Sequence, residues 1–417
     1  MANYLSPTFN IRLSTLPAWV PSPGRVAIMP MLSPAVPSGA VAAGGTFGAV
    51  DPCPSDTCSY NQPFNNLANS GVIDAFCGGI AAPNWGTKGG VIYHGGGHED
   101  YGGNETYVLD IGRQCFLRLD NPSIVPEFTN GQNDTVNDFN ELSDGQPAST
   151  HSYDNLAVIP PTLGGGAQGT LLRAISQACG QESEHTGYSH AFNLSNPTAR
   201  WSRFSGNNYH DNPLPGGACA LDTKRGRVWQ FCTNHHASYG YLTLSTKLWF
   251  RKDFLPRSFG AVHPDGMAVV YHPVRDCVVE LVRPKVDGVF SNFRFFRLDC
   301  ATPDEGHRWV TTGGDTLPNC YCMGIDYCEA NGKLYAIFNG DSGAVYEIDV
   351  PADPAATWTV TRLPLDGDAG AVAAATNSFA QGNTKYKRFA YCRHVKSFVF
   401  LSKGRNQPVI VYRPPGT

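Results

Sequence analysis

Charged residues are scarce in this sequence. Lys, Arg, Asp and Glu make up 16% of its 417 residues, whereas roughly 25% is typical of globular domains. Coiled coils and long-helix bundles are rich in Ala, Glu, Lys and Leu, so the composition argues against both classes. The formal net charge of −4 is too small to predict binding to nucleic acid or to an anionic membrane.

Long apolar runs are also missing. No run approaches the ~20 residues that a transmembrane helix needs, so we expect no membrane insertion. The N-terminal segment MANYLSPTFNIRLSTLPAWVPSPG has no cationic stretch followed by an apolar one, which predicts no signal peptide. The 13 cysteines lie mostly in apolar strand-like runs, which favours buried, reduced thiols made in a cytoplasm. Whether Cys53 and Cys58 close a small disulfide ring stays open.

Glycine and proline, by contrast, are abundant. The 45 Gly and 31 Pro residues form about 18% of the chain, against a usual share of about 12%. Hydrophobic residues reach 41% and aromatic residues 11%, which is enough for a large core and argues against disorder. The composition therefore predicts a turn-rich, all-β globular protein.

A spaced aromatic pair repeats along the chain. A strand carrying an aromatic residue is followed, after a short turn, by a strand carrying Trp or Phe. The copies end at Phe116, Trp201, Trp249, Trp309 and Trp358. Upstream lie segments such as GACALDTKRGRVWQFC, which read as β-hairpins because a polar, Gly-containing turn separates two apolar strands. Two hairpins give a unit of four antiparallel strands.

Four-stranded units repeated around a ring form a β-propeller. We predict one all-β domain over residues 1–417 with six blades, seven being the alternative. The blades are expected near residues 71–122, 148–205, 216–255, 264–313, 319–362 and 386–417. The last unit has three strands, so we expect residues 8–19, with Trp19, to supply the fourth and close the ring by the N-terminal strand. An irregular β-sandwich with chance aromatic spacing is the competing interpretation.

An apolar strand, a Gly-Gly doublet and a spaced Tyr and Trp resemble the kelch-type repeat and, more broadly, the galactose-oxidase-like propeller. Residues Val91–Asp110 and Thr150–Pro160 carry this resemblance most clearly. It covers most of the chain as architecture, although one blade alone has a clean glycine doublet and another has Asn339-Gly340 in its place. The resemblance implies a propeller but fixes no function, because propellers serve as enzymes, lectin-like modules and scaffolds.

The densest polar cluster follows the first predicted glycine doublet. Its two histidines have a metalloprotease-like i, i+4 spacing, but three intervening glycines oppose the helix which that geometry needs. In a loop the cluster could contact a cation or a sugar, or it could satisfy loop backbone groups. The candidate binding residues are His94, His98, Asp100, Tyr101, Asn104 and Glu105. We expect no metal and no cofactor, because the sequence has no thiolate quartet.

No complete catalytic constellation is recognisable. If the protein is an enzyme, His98, His151 and Tyr153 are the candidates for proton transfer during glycan cleavage. A basic run (Lys385, Lys387, Arg388, Arg393 and Lys396) and an acidic stretch (Asp134, Asp138, Glu141 and Asp144) are interpreted as solvated faces.

These features favour a non-enzymatic propeller that acts as a structural or binding platform. By analogy, its Gly-rich all-β composition and long loops at Asn121–Ser149 and Gln177–Tyr188 are typical of a bacteriophage virion protein, tail- or capsid-associated. Such a protein folds in the host cytoplasm and then joins the virion. Its partners would be other virion proteins or a surface glycan, with self-association in an assembly left open. The alternative is a carbohydrate-active enzyme, a polysaccharide lyase or glycoside hydrolase, with its site at the central mouth of the propeller.

Overall fold

The computed structural model is a six-bladed β-propeller. Each blade is an antiparallel sheet of four strands, and the blades surround a central axis. The structure describes residues 16–31, 46–47, 77–95, 104–120, 123, 128–129, 132–133, 141–148, 152–174, 188–205, 217–232, 239–252, 267–283, 285–286, 289–290, 292–303, 307–320, 323–382, 385–402 and 408–417.

The strands of the first half of the ring follow the predicted order. The first described strands are β1 (Val26–Ile28) and β2 (Thr46–Phe47). Blade 1 comprises β3 (Gly79–Ala82), β4 (Gly90–His94), β5 (Thr106–Asp110) and β6 (Cys115–Arg118). A small hairpin, β7 (Phe128–Thr129) and β8 (Gln132–Asn133), precedes blade 2. Blade 2 comprises β9 (Leu156–Ile159), β10 (Thr170–Arg173), β11 (His190–Asn193) and β12 (Trp201–Arg203), with short 3₁₀ turns at Pro161–Leu163 and Pro197–Ala199. Blade 3 comprises β13 (Gly217–Asp222), β14 (Arg227–Cys232), β15 (Tyr239–Thr243) and β16 (Leu248–Lys252).

The second half of the ring includes one helix. Blade 4 comprises β17 (Met267–His272), β18 (Cys277–Val282), β21 (Arg294–Asp299) and β22 (His307–Trp309), with β19 (Lys285–Val286) and β20 (Val289–Phe290) forming a hairpin between them. Blade 5 follows β23 (Thr312–Gly314) and comprises β24 (Met323–Cys328), β25 (Lys333–Phe338), β26 (Asp341–Asp349) and β27 (Trp358–Pro364). Helix α1 (Ala369–Ala380) leads to blade 6, which comprises β28 (Ala390–Cys392), β29 (Ser397–Leu401), β30 (Val409–Tyr412) and β1.

The core consists of six separate apolar clusters, one at each junction between neighbouring blades. Successive residues of a strand point to opposite faces of the sheet, so each blade serves two junctions. In β4, for example, Tyr93 packs towards blade 6 and Ile92 packs towards blade 2. Because the cluster between blades 6 and 1 is as continuous as the others, the ring is closed.

The N-terminal strand closes the ring, but it is not the segment that the sequence indicated. Strand β1 pairs antiparallel with β30, with Val26 opposite Tyr412. Of the predicted residues 8–19, the structure describes 16–19. These lie in a turn, and Trp19 packs partly buried against the cluster between blades 1 and 6. Prolines surround this turn in the sequence, and proline cannot donate to a strand ladder, so the ladder begins beyond them.

The aromatic pattern does mark the third and fourth strands of the blades. The aromatic residues Phe192 and Trp201 are direct partners across β11 and β12. Two blades carry an additional outer strand, because β2 pairs with β6 and β23 pairs with β27.

Eight of the described cysteines are buried thiols. They are Cys77, Cys115, Cys219, Cys277, Cys300, Cys320, Cys328 and Cys392. Cys53 and Cys58 lie outside the described residues. In the described part of the chain, no helix has the length and apolar character needed to cross a bilayer.

Candidate functional site: the central cavity

A cavity of about 720 Å³ lies on the propeller axis, and all six blades contribute to its wall. The first strand of each blade is innermost, and these strands end at the mouth of the cavity. Small side chains such as Ala81, Ala157 and Ala220 face this space. The innermost strands of the other three blades contribute larger side chains to the wall, among them Val269, Ile325 and Tyr391.

Lys387 lies in the wall of the cavity and is 8% exposed. Its ammonium group donates hydrogen bonds to the carbonyl oxygens of Cys219 in blade 3 and Val269 in blade 4, the latter at 3.3 Å. This one side chain therefore links blade 6 to the opposite side of the ring.

Two carboxylates interact electrostatically with this ammonium group. Asp154 precedes blade 2 and accepts the backbone N–H of Val269 at 3.1 Å. Asp326 lies in blade 5 and accepts the backbone N–H groups of Tyr327 and Tyr391, both at 2.8 Å. Burial raises the pKa of each carboxyl to about 6, although Lys387 acts in the opposite direction. We call Lys387, Asp154 and Asp326 the axial ion cluster.

The basic run is therefore only in part a solvated face. Lys385, Lys387 and Arg388 are buried, whereas Arg393 and Lys396 are exposed. Arg388 donates to the carbonyl oxygen of Cys77 at 2.7 Å and so ties blade 6 to blade 1. The acidic stretch also contains both buried and exposed residues. Glu141 is buried and Asp144 is exposed. Asp134 and Asp138 lie outside the described residues.

The rim of the cavity carries polar groups that are free to meet a ligand. Within the described residues, neither the hydroxyl of Tyr327 nor the carboxylate of Glu329 has a hydrogen-bond or ion-pair partner. Arg393 uses one N–H on the side chain of Asn84 at 3.0 Å. Prolines and the ring of Tyr327 add apolar surface beside these groups. The mouth thus offers donors, acceptors and flat apolar faces together.

His94, the first residue of the predicted histidine cluster, lies elsewhere, at the junction of blades 1 and 2. His94 ends β4, and β4 runs antiparallel to the innermost strand, so His94 lies at the face opposite the cavity mouth. Its ring is buried 4.3 Å from the ring of Trp201 on the outer strand of blade 2. Burial holds the pKa of His94 well below its usual range, and Arg173 acts in the same direction. His94 therefore does not lie at the central mouth, where the alternative carbohydrate-active enzyme would have its site.

A buried ionic network surrounds His94. His190 contacts Glu141 at 2.9 Å, and Arg203 donates to both oxygens of Glu141 at 2.6 and 2.5 Å. Arg173 lies 3.4 Å from the other ring nitrogen of His190 and donates to the carbonyl oxygen of Ala148 at 2.6 Å. These contacts hold the loop before blade 2 against the strands of that blade.

The other described candidate site residues stabilise the structure around them. Asn104 donates to Ser123 at 2.9 Å and to the carbonyl oxygen of Pro147 at 2.8 Å, and its amide oxygen accepts the Ser123 N–H. Glu105 accepts the hydroxyl of Tyr107 at 3.0 Å. The ring of Tyr153 packs edge-on against Tyr386 at 5.3 Å. His98, Asp100, Tyr101 and His151 lie outside the described residues.

Replacement of His190 with Gln should produce a stability loss that depends on pH. Burial lowers the pKa of His190 to about 4, below the ~6.5 of an unfolded histidine. The neutral ring therefore stabilises the fold above pH 6.5, and this contribution is lost as pH falls towards 4. We expect the difference in unfolding free energy between wild type and H190Q to shrink by up to ~1.4 kcal/mol per pH unit below pH 6.5. Urea titrations at pH 7.5, 6 and 5 measure this difference in unfolding free energy. A difference that does not change with pH would contradict the lowered pKa of His190.

One group of potential metal ligands occurs in the described part of the chain, namely Asp222, Asp276 and Cys300. Cations of the protein already neutralise both carboxylates. Arg225 pairs with Asp222 at 3.0 Å and with Asp276 at 2.6 Å. Lys224 also pairs with Asp276 at 2.7 Å. The side chains themselves thus supply the charge that a metal ion would bring.

Some solved structures are distantly similar to this chain. No family model and no curated protein matches the sequence. A structural-genomics protein of unknown function from Bacteroides thetaiotaomicron VPI-5482 has 12% identity and a TM-score of 0.46, over 89% of this chain and 75% of its own. An auxiliary nutrient binding protein from Bacteroides ovatus ATCC 8483 has 11% identity and a TM-score of 0.46, over 88% and 76%. An α-L-arabinofuranosidase from Fusarium graminearum has 14% identity and a TM-score of 0.44, over 69% and 82%. Likeness at this level carries no functional argument.

The cavity residues were not among the candidate binding residues predicted from the sequence. Tyr327, Glu329 and Arg393 are spread over two hairpins, and no short motif joins them. The sequence does carry one signal for these positions, because the first hairpin turn of each blade begins where the innermost strand of that blade ends. Side chains at those positions must meet at the axis of any propeller.

Proposed function

We propose that this protein is a non-enzymatic platform that binds a glycan in its central cavity. We further propose that it is a kelch-type propeller of a bacteriophage virion, tail- or capsid-associated, that attaches through this glycan. The observation that carries the first proposal is the open axial cavity with uncommitted polar groups at its rim.

The rim chemistry suits a sugar. Each sugar hydroxyl both donates and accepts hydrogen bonds, so a sugar site needs both kinds of partner. The carboxylate of Glu329 accepts, Arg393 donates, and the hydroxyl of Tyr327 does both. The tyrosine ring and the prolines at the mouth can cover the C–H faces of a sugar ring. A cavity of about 720 Å³ lies within the usual range for small-molecule sites.

Two features of the cavity favour binding over cleavage. Most glycoside hydrolases use a pair of carboxyl groups, one acting as acid and the other as base or nucleophile. The cavity wall has Asp326 and Glu329, but backbone N–H groups occupy both oxygens of Asp326. Lys387, the nearest cation, is committed to carbonyl oxygens of the protein.

The virion proposal is supported by composition. A Gly-rich chain with low charge and polar loops suits a rigid virion component that contacts neighbouring virion proteins through direct and water-mediated hydrogen bonds. The loops at Asn121–Ser149 and Gln177–Tyr188 are the proposed contact surfaces, and they lie largely outside the described residues. Detection of the protein in purified phage particles by mass spectrometry supports this role. Its absence from intact particles overturns the virion role but leaves the glycan proposal standing.

Loss of rim groups should weaken glycan binding. We expect Tyr327→Phe and Glu329→Gln each to weaken binding of an oligosaccharide identified on a glycan array several-fold, and the double variant at least ten-fold. Tyr327→Phe removes one hydrogen bond worth about 0.5–1.5 kcal/mol, and Glu329→Gln replaces a charged acceptor with a weaker neutral one. Tyr327→Phe keeps the ring that packs against His272 at 4.8 Å, so the fold is preserved. Titration calorimetry with the purified oligosaccharide measures the effect.

Val274→Ser is the matched control. Val274 is exposed in a turn next to the mouth and does not line the cavity, so binding should be unchanged. The intact protein should release no sugar fragments from polysaccharides. Cleavage that disappears in the Tyr327 and Glu329 variants would replace binding with an enzymatic function. Binding that survives in the double variant would exclude the cavity.

A further inference from the structure

The charged groups of the central cavity do not cancel one another. Asp326 and Glu329 of blade 5 line the cavity, together with Lys387 and Arg393 of blade 6. Asp154 lies behind the wall, where its carboxylate interacts with Lys387 and Asp326. At neutral pH three carboxylates therefore oppose two cations, and the cavity presents a net negative charge to a ligand.

The protein itself engages both cations. The ammonium group of Lys387 donates to two backbone carbonyl oxygens, and Arg393 donates to the side chain of Asn84 at 3.0 Å. Asn84 belongs to blade 1, and blade 6 lies between blades 1 and 5, so Arg393 is held on the side away from Glu329. Arg275 of blade 4 donates to a backbone carbonyl oxygen of blade 5 at 2.7 Å and does not line the cavity.

Glu329 lies beside two tyrosines of the cavity wall and has no ion-pair partner among the described residues. Tyr327 and Tyr391 both line the cavity. Burial raises the pKa of the Tyr327 hydroxyl, and Glu329 acts in the same direction. Burial also raises the pKa of Tyr391, with Cys328 and then Glu329 adding to it. The negative charge of Glu329 therefore reaches both rings, and no cation of the described protein neutralises it.

A carboxylate next to aromatic rings is a binding site for an organic ammonium group. The carboxylate accepts its charged N–H groups, and the electron-rich faces of tyrosine rings attract a cation. We propose that the cavity selects a glycan with protonated free amino groups, such as a chain of glucosamine, over neutral and acidic glycans. This inference rests on the proposed glycan function and names the class of glycan.

The arrangement also orients such a glycan. An amino group would bind Glu329 and the hydroxyl of Tyr327 on the blade 5 side of the mouth, and neighbouring sugar hydroxyls would accept from Arg393 on the blade 1 side. A carboxylate on the sugar would instead meet Glu329 and Asp326, and like charges brought together select against such a ligand.

Three β-1,4-linked tetrasaccharides test this selection. They consist of glucosamine, glucose and glucuronic acid, so the sugar ring and the linkage stay constant while the charge changes. Titration calorimetry with the full-length protein at pH 7 measures their affinities. We expect the glucosamine tetramer to bind about five-fold or more tightly than the glucose tetramer, and about ten-fold or more tightly than the glucuronic acid tetramer.

A charge-removing variant identifies the group that selects. Glu329→Gln keeps the shape of the side chain and should reduce the preference for glucosamine over glucose to less than about two-fold. Asp368→Asn is the matched control, because Asp368 is exposed and does not line the cavity. It changes the net charge of the protein by the same amount and should leave the preference unchanged.

The possible results separate this inference from the glycan proposal. Equal affinity for the glucosamine and glucose tetramers, or a preference that persists in Glu329→Gln, overturns the selection and leaves glycan binding standing. Tightest binding of the glucuronic acid tetramer, lost in Arg393→Gln, assigns the cavity to acidic glycans instead. If none of the tetramers binds but an oligosaccharide identified on an array does, the selection alone is wrong. If no glycan binds, both proposals fail.

Discussion

Replacement of Lys387 with Ala should destabilise the fold by about 3–5 kcal/mol, the usual consequence of removing one partner from a buried ion cluster. The ammonium group bonds two carbonyl oxygens from two other blades. Its loss leaves these carbonyls and the carboxylates of Asp154 and Asp326 without their cation at the axis. Urea unfolding at pH 7.5 measures the loss of free energy.

Lys396→Ala is a closely matched control. Lys387 and Lys396 both have a φ of 49°, so alanine meets the same backbone conformation at each position. Lys396 is exposed, and its replacement should change the free energy by no more than about 0.5 kcal/mol. Similar losses for the two variants would show that the backbone, and not the buried ammonium group, determines the effect.

The loss in Lys387→Ala should also shrink as the pH falls. The folded-state pKa values of Asp154 and Asp326 are about 6, above the ~3.9 of an unfolded aspartate. Protonation of these carboxyls therefore favours the folded state as pH falls from 7 towards 4. At pH 5 the variant no longer holds two unpaired charges, so the difference from wild type should be smaller than at pH 7.5. A difference that grows on acidification would contradict the ion cluster.

Replacement of Val26 with Asp should open the ring. Val26 is 3% exposed and packs with the cluster formed by blade 5, blade 6 and α1. Its backbone N–H also donates to the carbonyl oxygen of Asp366 at 2.7 Å. A carboxylate cannot be accommodated there without a large desolvation cost, and we expect a loss of about 4 kcal/mol or more. Thermal unfolding and the fraction of soluble protein measure the effect.

Ile28→Asp is the control on the same strand. Ile28 is 42% exposed and pairs through its backbone with Ile410, so a new carboxylate at this position remains in water. Its loss should stay below about 1 kcal/mol. If the two substitutions destabilise equally, then β1 contributes through its backbone pairing and not through the buried side chain.

Patterns in the amino-acid sequence were sufficient to predict the architecture. Alternating apolar residues, tight turns and the recurring aromatic pairs identify hairpins whose two strands are close in the chain. Local turn chemistry sets the register of such strands, so six antiparallel blades could be derived without knowledge of their packing. The sequence also indicated that an N-terminal strand completes the last blade.

Tertiary structure alone decided which strand closes the ring and where charge is buried. Val26 pairs with Tyr412, and no local pattern connects residues at opposite ends of the chain. The same reason explains why the prediction of a solvated face is wrong for Lys387. Lys387 is buried because its partners come from other blades, and the cost of burying an ammonium group depends on those partners. Local sequence determines hairpins, whereas the axis is made by residues that only the closed ring brings together.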